Sequence, residues 1–185
     1  MGVKKTKRVG RQEWLAAALA ALQAGGIESI RVERLARTLG ISKSGFYWHF
    51  KNRADLLNQL LNFWETEYTE VVASDPRAGK GTAEQRLLRV MRMVETGNLA
   101  GYDSVFQIWA SKDELARQAF NRVMRRREDF VSSIIHELGF EGEEFEMLTM
   151  LFVLYVSGEG QIFSFKSKRK REKMRRRILT LICEK

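Results

Sequence analysis

The chain has 185 residues, 44% of them hydrophobic and 30% charged, proportions that exclude a disordered polypeptide and leave room for one large domain or a small module joined to a larger one. Its net charge of +9 is unevenly spread: residues 1–65 hold 11 Lys/Arg against 5 Asp/Glu, residues 66–165 hold 11 against 16, and residues 166–185 hold 10 against 2, so two basic ends flank an acidic middle and favour a polyanionic partner. One cysteine, Cys183, excludes an internal disulfide and a multi-cysteine zinc site; with no apolar leader and no run of about 18 apolar residues, the expectation is a soluble, cytoplasmic protein.

A single proline, scarce β-branched alternation and many Leu, Ala, Arg, Glu and Met residues predict an all-α fold of about nine helices. Trp14, Leu15, Ala18, Leu19 and Leu22 share one helical face that Gly25 and Gly26 terminate. Val32, Leu35, Ala36 and Leu39 mark a short second helix closed by Gly40, and Ser42 is placed to cap a third. Asn52 and Asp55 have capping-box spacing and open a long fourth helix running toward Val72. The segment "SDPRAGKGT" reads as a linker, and further helices are expected at about 83–96, 104–111, 113–138, 143–164 and 169–183. The organisation predicted is a helix-turn-helix domain at 1–60 with a basic N-terminal arm, followed by a helical domain at 61–185.

The densest signal is "ISKSGFYWHFKNRADLL", which sets Tyr47, Trp48 and His49 side by side. Consecutive residues of an α-helix point about 100° apart, so one core-facing stripe cannot hide all three rings. With Phe46 and Phe50 turned inward, Lys43, Ser44, Tyr47 and Trp48 are left outside. Two short helices around a tight turn have the punctuation of a helix-turn-helix, and eight residues at 1.5 Å each make roughly 12 Å of helix, which fits a DNA major groove. Lys43 can reach phosphate or guanine, Ser42 can bind phosphate, Tyr47 offers a hydroxyl and a ring, and Trp48 and His49 offer N–H donors and apolar edges.

The stretch "SIRVERLARTLGISKSGFYWHFKNRADLLNQLL" resembles the DNA-binding region of the tetracycline-repressor (TetR) family over about residues 11–61. The resemblance implies DNA contacts from Ser42, Lys43, Ser44, Tyr47, Trp48, His49 and Lys51, with Tyr47 and Lys51 mostly on phosphate. Two positions depart from the family pattern: Arg31 stands where a capping Thr or Ser is usual and could restore a phosphate contact by charge, and Gly45 replaces a small hydroxyl residue. It further implies a homodimer paired through the last two long helices, a palindromic double-stranded DNA operator, and a small-molecule effector whose binding releases a repressor. Ser157, Gly158 and Gly160 would allow close helix approach at the dimer seam.

In the acidic middle, Tyr102, Phe106, Trp109, Phe120, Met124, Phe152 and Tyr155 read first as core. Such a set can also line an adaptable apolar pocket, so they are the effector candidates, with Glu159 a further polar contact. The basic run at 166–177 reads as a solvated helix face, with extra DNA, acidic-partner or membrane-surface binding as alternatives. No metal or nucleophile constellation surrounds His49 or His136, and "AGKGT" lacks the hydroxyl residue after Lys80 that a phosphate loop needs. No enzyme, metal or cofactor is therefore expected; the rival readings are a sequence-tolerant nucleoid-type DNA binder and a helical ligand-processing enzyme.

Overall fold

The computed structural model describes residues 9–70 and 79–184, the side chains of 69 and 70 excepted. Helix α1 (Arg11–Gly25) buries the stripe Trp14, Leu15, Ala18, Leu19 and Leu22. It stops at Gly26, whose φ of 70° turns the chain while its N–H closes on the Leu22 carbonyl at 2.8 Å. After a 3₁₀ turn at Ile27–Ser29, α2 (Val32–Leu39) buries Val32, Leu35 and Ala36. Gly40, at φ 72°, ends α2: the Ile41 N–H reaches the Ala36 carbonyl at 3.0 Å and the Gly40 N–H the Arg37 carbonyl at 3.1 Å.

The next element departs from expectation. Lys43–Trp48 is a 3₁₀ helix, with the His49 N–H on the Phe46 carbonyl at 2.9 Å. Short helices tighten readily, and Gly45 weakens the case for an α-helix here. Six residues rising about 2.0 Å each still span roughly 12 Å, so the predicted length survives while the angular spacing of side chains changes. Ser42 sits at the N-cap but its hydroxyl does not cap; it bonds to the Ser44 hydroxyl at 2.7 Å.

Helix α3 (Arg53–Glu65) is capped by Asn52, whose side chain accepts the Asp55 N–H at 2.9 Å. The reciprocal bond goes one residue upstream of a capping box, from the Lys51 N–H to Asp55 at 2.8 Å. Beyond Glu65 the chain widens into a π turn, Thr66–Glu70. The expected continuation to Val72, the start of the linker and the basic arm of Lys4, Lys5, Lys7 and Arg8 lie outside the described residues.

The second part consists of α4 (Ala83–Thr96), α5 (Leu99–Ala110), α6 (Glu114–His136), α7 (Gly142–Ile162) and α8 (Lys168–Cys183). Thr82, Asp113 and Ser167 cap α4, α6 and α8 through their side chains. Only α5 begins well before the expected residue 104. Asn98, at φ 50°, makes the turn between the two helices, and Gly101 in the first turn of α5 leaves room for the Asn98 side chain, which a Cβ there would meet at 2.8 Å.

Two apolar clusters hold this assembly. One packs α1–α3 and the 3₁₀ helix against Phe106 and Trp109 of α5 and Ala116, Ala119 and Val123 of α6. The other joins α4, α6, α7 and α8 around Leu87, Ile134, Ile135, Phe152 and Leu179. Trp64, at the end of α3, stacks on Phe106 at 4.1 Å between centroids and lies 5.9 Å from Phe120. Core therefore runs across the boundary expected near residue 60, and at about 1.5–3 kcal/mol per buried large side chain this joint is a firm one.

Candidate nucleic-acid interface and ligand cavity

Phe46 and Phe50 are buried and stack at 5.2 Å, with Trp14 edge-on to Phe46 at 5.4 Å. These rings anchor the 3₁₀ helix to α1, and the neighbouring side chains are left outside as a consequence. Tyr47 is 57% exposed and Trp48 86%, and Ser42, Lys43, Ser44 and Lys51 are exposed around them. Trp48 is the most exposed large hydrophobic side chain among the described residues.

Lys43 is engaged by Glu33 of α2, and the pairing holds the Glu33 carboxyl below its ordinary value and the Lys43 amine above its own. Glu33 takes one of the three N–H donors of the Lys43 ammonium, and its carboxylate stands beside the remaining two. His49 is half-buried, and its Nε2 donates to the Val9 carbonyl at 3.0 Å, tying the recognition helix to the segment before α1. That leaves Nδ1, not Nε2, for any outside partner. Arg31, exposed at the N-cap of α2, makes no side-chain cap; its Nε bonds the Glu28 carbonyl at 3.2 Å. Sequence reasoning missed Arg53, which holds the turn before α2 to α3 by donating to the Ile30 and Ile27 carbonyls at 2.7 and 2.8 Å.

The seven effector candidates separate. Phe106, Trp109, Phe120 and Met124 belong to the cluster around Trp64, and Tyr102 lies 4.6 Å from the Tyr68 ring. Phe152 alone of the seven lines a cavity of about 650 Å³, open mouth included, and Tyr155 lines a neighbouring one. The first cavity is walled by Val90 and Val94 of α4, Leu99 of α5, Phe130 and Val131 of α6, and Phe152, Val153, Val156 and Ser157 of α7. Its polar rim was not foreseen. It consists of Tyr68 on the π turn, Asp103 on α5, and Arg126 and Arg127 on α6. A carboxylate inside the apolar run "GYDSVF" was the available signal, because a buried Asp requires a cation. Asp103 has one: Arg127 grips both its oxygens, at 2.5 and 3.0 Å.

Two of these rim residues connect to the recognition unit. Arg126 pairs at 2.9 Å with buried Glu65, the last residue of α3, which also receives Arg122 at 3.2 Å. Tyr68 is carried on the turn that continues α3, and burial, with Tyr102 beside it, pushes its hydroxyl pKa up to about 12, so it remains a neutral hydrogen-bonding group. Among the described residues no group of three or more His, Cys, Asp or Glu is arranged to hold a metal, and no helix is long and apolar enough to cross a membrane.

Residues 15–60 match the family model of bacterial regulatory proteins, tetR family. The tetracycline repressor protein class D of Escherichia coli is 40% identical over 53 residues, 29% of this chain and 24% of that protein. The chain spans a third or less of the length of the curated relatives it matches. A structure from Saccharomonospora viridis in complex with choline superposes with a TM-score of 0.74 at 17% identity, covering 94% of this chain and 95% of that one. The transcriptional regulator FadR from Bacillus subtilis, in complex with stearoyl-CoA, superposes at 0.70 with 19% identity, covering 95% and 98%. Residues 15–60 thus match the tetR family of bacterial regulatory proteins in sequence, and the chain as a whole shares the fold of these solved structures.

Proposed function

We propose that the protein is a homodimeric, sequence-specific DNA-binding regulator acting in the cytoplasm, a repressor released from a palindromic operator by a small-molecule effector. The unit up to residue 60 reads DNA, and the helices after it bind effector and pair. The observation that carries the reading is the 86% exposure of Trp48 beside Tyr47, Lys43 and Ser44 on a helix-turn-helix. Exposed phenol, indole and ammonium groups on one short helix suit the major groove, where base edges and phosphates lie within reach together.

Pairing is supported by a stripe on α7: Met147, Met150, Leu151 and Leu154 are 51–62% exposed, on the face away from buried Leu148 and Phe152. On α8, Met174 and Leu181 are also exposed, at 40% and 66%. Two copies joined there would present two recognition helices to half-sites about 34–36 Å apart.

Release follows by linkage. An effector that binds one separation of the recognition helices better than another weakens DNA binding by that differential. The route is physical: the cavity rim touches the end of α3 through Tyr68 and the Arg126–Glu65 pair, and α3 carries the recognition unit through Arg53, Leu56 and Leu60. DNA fragments selected by the purified protein should share a two-fold symmetric sequence and lose affinity when it is scrambled. Selection of fragments without common sequence would instead establish a sequence-tolerant binder, and turnover of a bound compound an enzyme.

A further inference from the structure

The cavity just described has a neighbour of opposite character. About 550 Å³ in extent, open mouth included, the second cavity lies further along the same two helices, between Glu95 and Asn98 of α4 and its following turn, Tyr155 and Glu159 of α7, and Arg171 and Arg175 of α8. Val94 and Val156 line both. One side of that valine pair is apolar; the other is ionic.

The ionic side is unusual in its depth. Arg175 is 2% exposed and bonds to Glu159 at 3.0 Å, to Glu95, and to Glu172 at 3.4 Å. Arg171 adds contacts to Glu159 at 3.4 Å and Glu95 at 3.5 Å. The cations and carboxylates lining this cavity, Arg171 and Arg175 against Glu95 and Glu159, balance in charge. Three buried polar atoms there nonetheless complete no hydrogen bond: Glu95 Oε1, the Tyr155 hydroxyl and Arg171 Nε. Burial, with Glu159 nearby, raises the Tyr155 pKa and keeps its hydroxyl protonated, so Tyr155 and Arg171 Nε keep a donor each, while Glu95 Oε1, 3.5 Å from Arg171 in its ion pair, can still accept a hydrogen bond. Leaving such groups unpaired is costly, whereas a ligand that satisfies them gains affinity and selectivity.

We propose that the two cavities act as one site for an amphiphile, its apolar body in the chamber of Val90, Phe130 and Phe152 and its uncharged, hydrogen-bonding head beyond Val94 and Val156 against Tyr155, Glu95 and Arg171. A charged head is disfavoured because each ionic partner already has its counter-ion, so a new charge would have to unpair one. This rests on the reading of the apolar cavity as the effector site and adds the chemistry of the effector to it. The neighbours' ligands do not supply this chemistry, since one holds choline and the other stearoyl-CoA.

The test uses the full-length protein and a matched series: butylbenzene, 4-butylbenzamide, 4-butylbenzoate and 4-butyl-N,N,N-trimethylanilinium, with binding followed by calorimetry in the absence of DNA. The amide should bind about tenfold or more tighter than either charged compound. Tyr155→Phe, which removes one oxygen, should weaken the amide by about three- to tenfold, the weight of one hydrogen bond, and leave butylbenzene unchanged. Val94→Trp, filling the space between the two cavities, should erase the preference of the amide over butylbenzene. If butylbenzene and the amide bind equally well to wild type and to Tyr155→Phe, the head site is overturned while the apolar effector chamber stands. If no compound of the series binds, both fall together.

Discussion

In the recognition unit, Tyr47 and Trp48 stand 57% and 86% exposed; in the helical body, Phe106, Trp109 and Phe152 are at 1%, 5% and 0%. Both regions are rich in rings, but the sequence treats them differently. Rings at consecutive positions cannot share a face, so backbone geometry forces some outward whatever the tertiary structure. Rings spaced three or four apart on amphipathic helices all face inward, and whether they fill the interior or border a space depends on what the opposite helices supply. In this protein α3 supplies Trp64, which fills the space with a stack.

The largest test of that contrast is Phe106→Ala. Removing the ring beneath Trp64 should cost about 3–5 kcal/mol in denaturant unfolding, as for a large side chain deleted from a packed core. The matching change outside, Trp48→Ala, should alter stability by less than about 0.5 kcal/mol. A Phe106→Ala protein of unchanged stability would mean that the junction is loosely packed and that these rings border a usable space.

Next in size is Tyr47→Ala, which should weaken binding to the selected operator by about 1–3 kcal/mol while leaving the unfolding curve in place. Wild-type affinity in a mobility-shift titration would remove Tyr47 from the interface.

These contrasts also show what could be read from the chain alone. The order and approximate bounds of α4, α6, α7 and α8, and the inward turn of Phe46 and Phe50, followed from periodicity and caps. The 3₁₀ form of Lys43–Trp48 did not, because it depends on which carbonyl the His49 N–H finds. His49 is similar: its bond to Val9 spans 40 residues of sequence and leaves no local trace. The cavity rim of Tyr68, Asp103 and Arg126 comes from three separate elements, so no spacing rule brings those residues together.

The ion pairs divide as the rings do. Glu95 and Arg175 pair in the interior, where hydrogen bonding to Arg175 is the leading cause of a Glu95 pKa held below its ordinary 4.5. A carboxyl with a lowered folded-state pKa contributes stability in full above its unfolded value and loses it as pH falls through the folded one. Stability should therefore decline on acidification below about pH 4.5, and Glu95→Gln should flatten that part of the profile while lowering stability at neutral pH. Parallel wild-type and variant profiles between about pH 5 and 3 would show that the pair does not carry this dependence.

Glu33 and Lys43 make the exposed counterpart, with side chains 61% and 48% accessible. In water such a pair adds little to folding, so its consequence lies in binding. Glu33 pairs with Lys43, the one ammonium of the 3₁₀ helix, and so sets a carboxylate beside the group proposed to meet phosphate. Glu33→Gln should leave stability nearly unchanged, tighten DNA binding, and steepen the salt dependence by up to about 0.9 log unit per log unit of salt if Lys43 then neutralises one more phosphate. It should also tighten unrelated DNA, because a phosphate contact carries no sequence. The role of Glu33 is then to restrain Lys43 from indiscriminate phosphate binding, so that Tyr47, Trp48 and Ser44 decide which DNA is held. Weaker binding of both DNAs by Glu33→Gln would give the opposite role, with Glu33 orienting Lys43 for the groove.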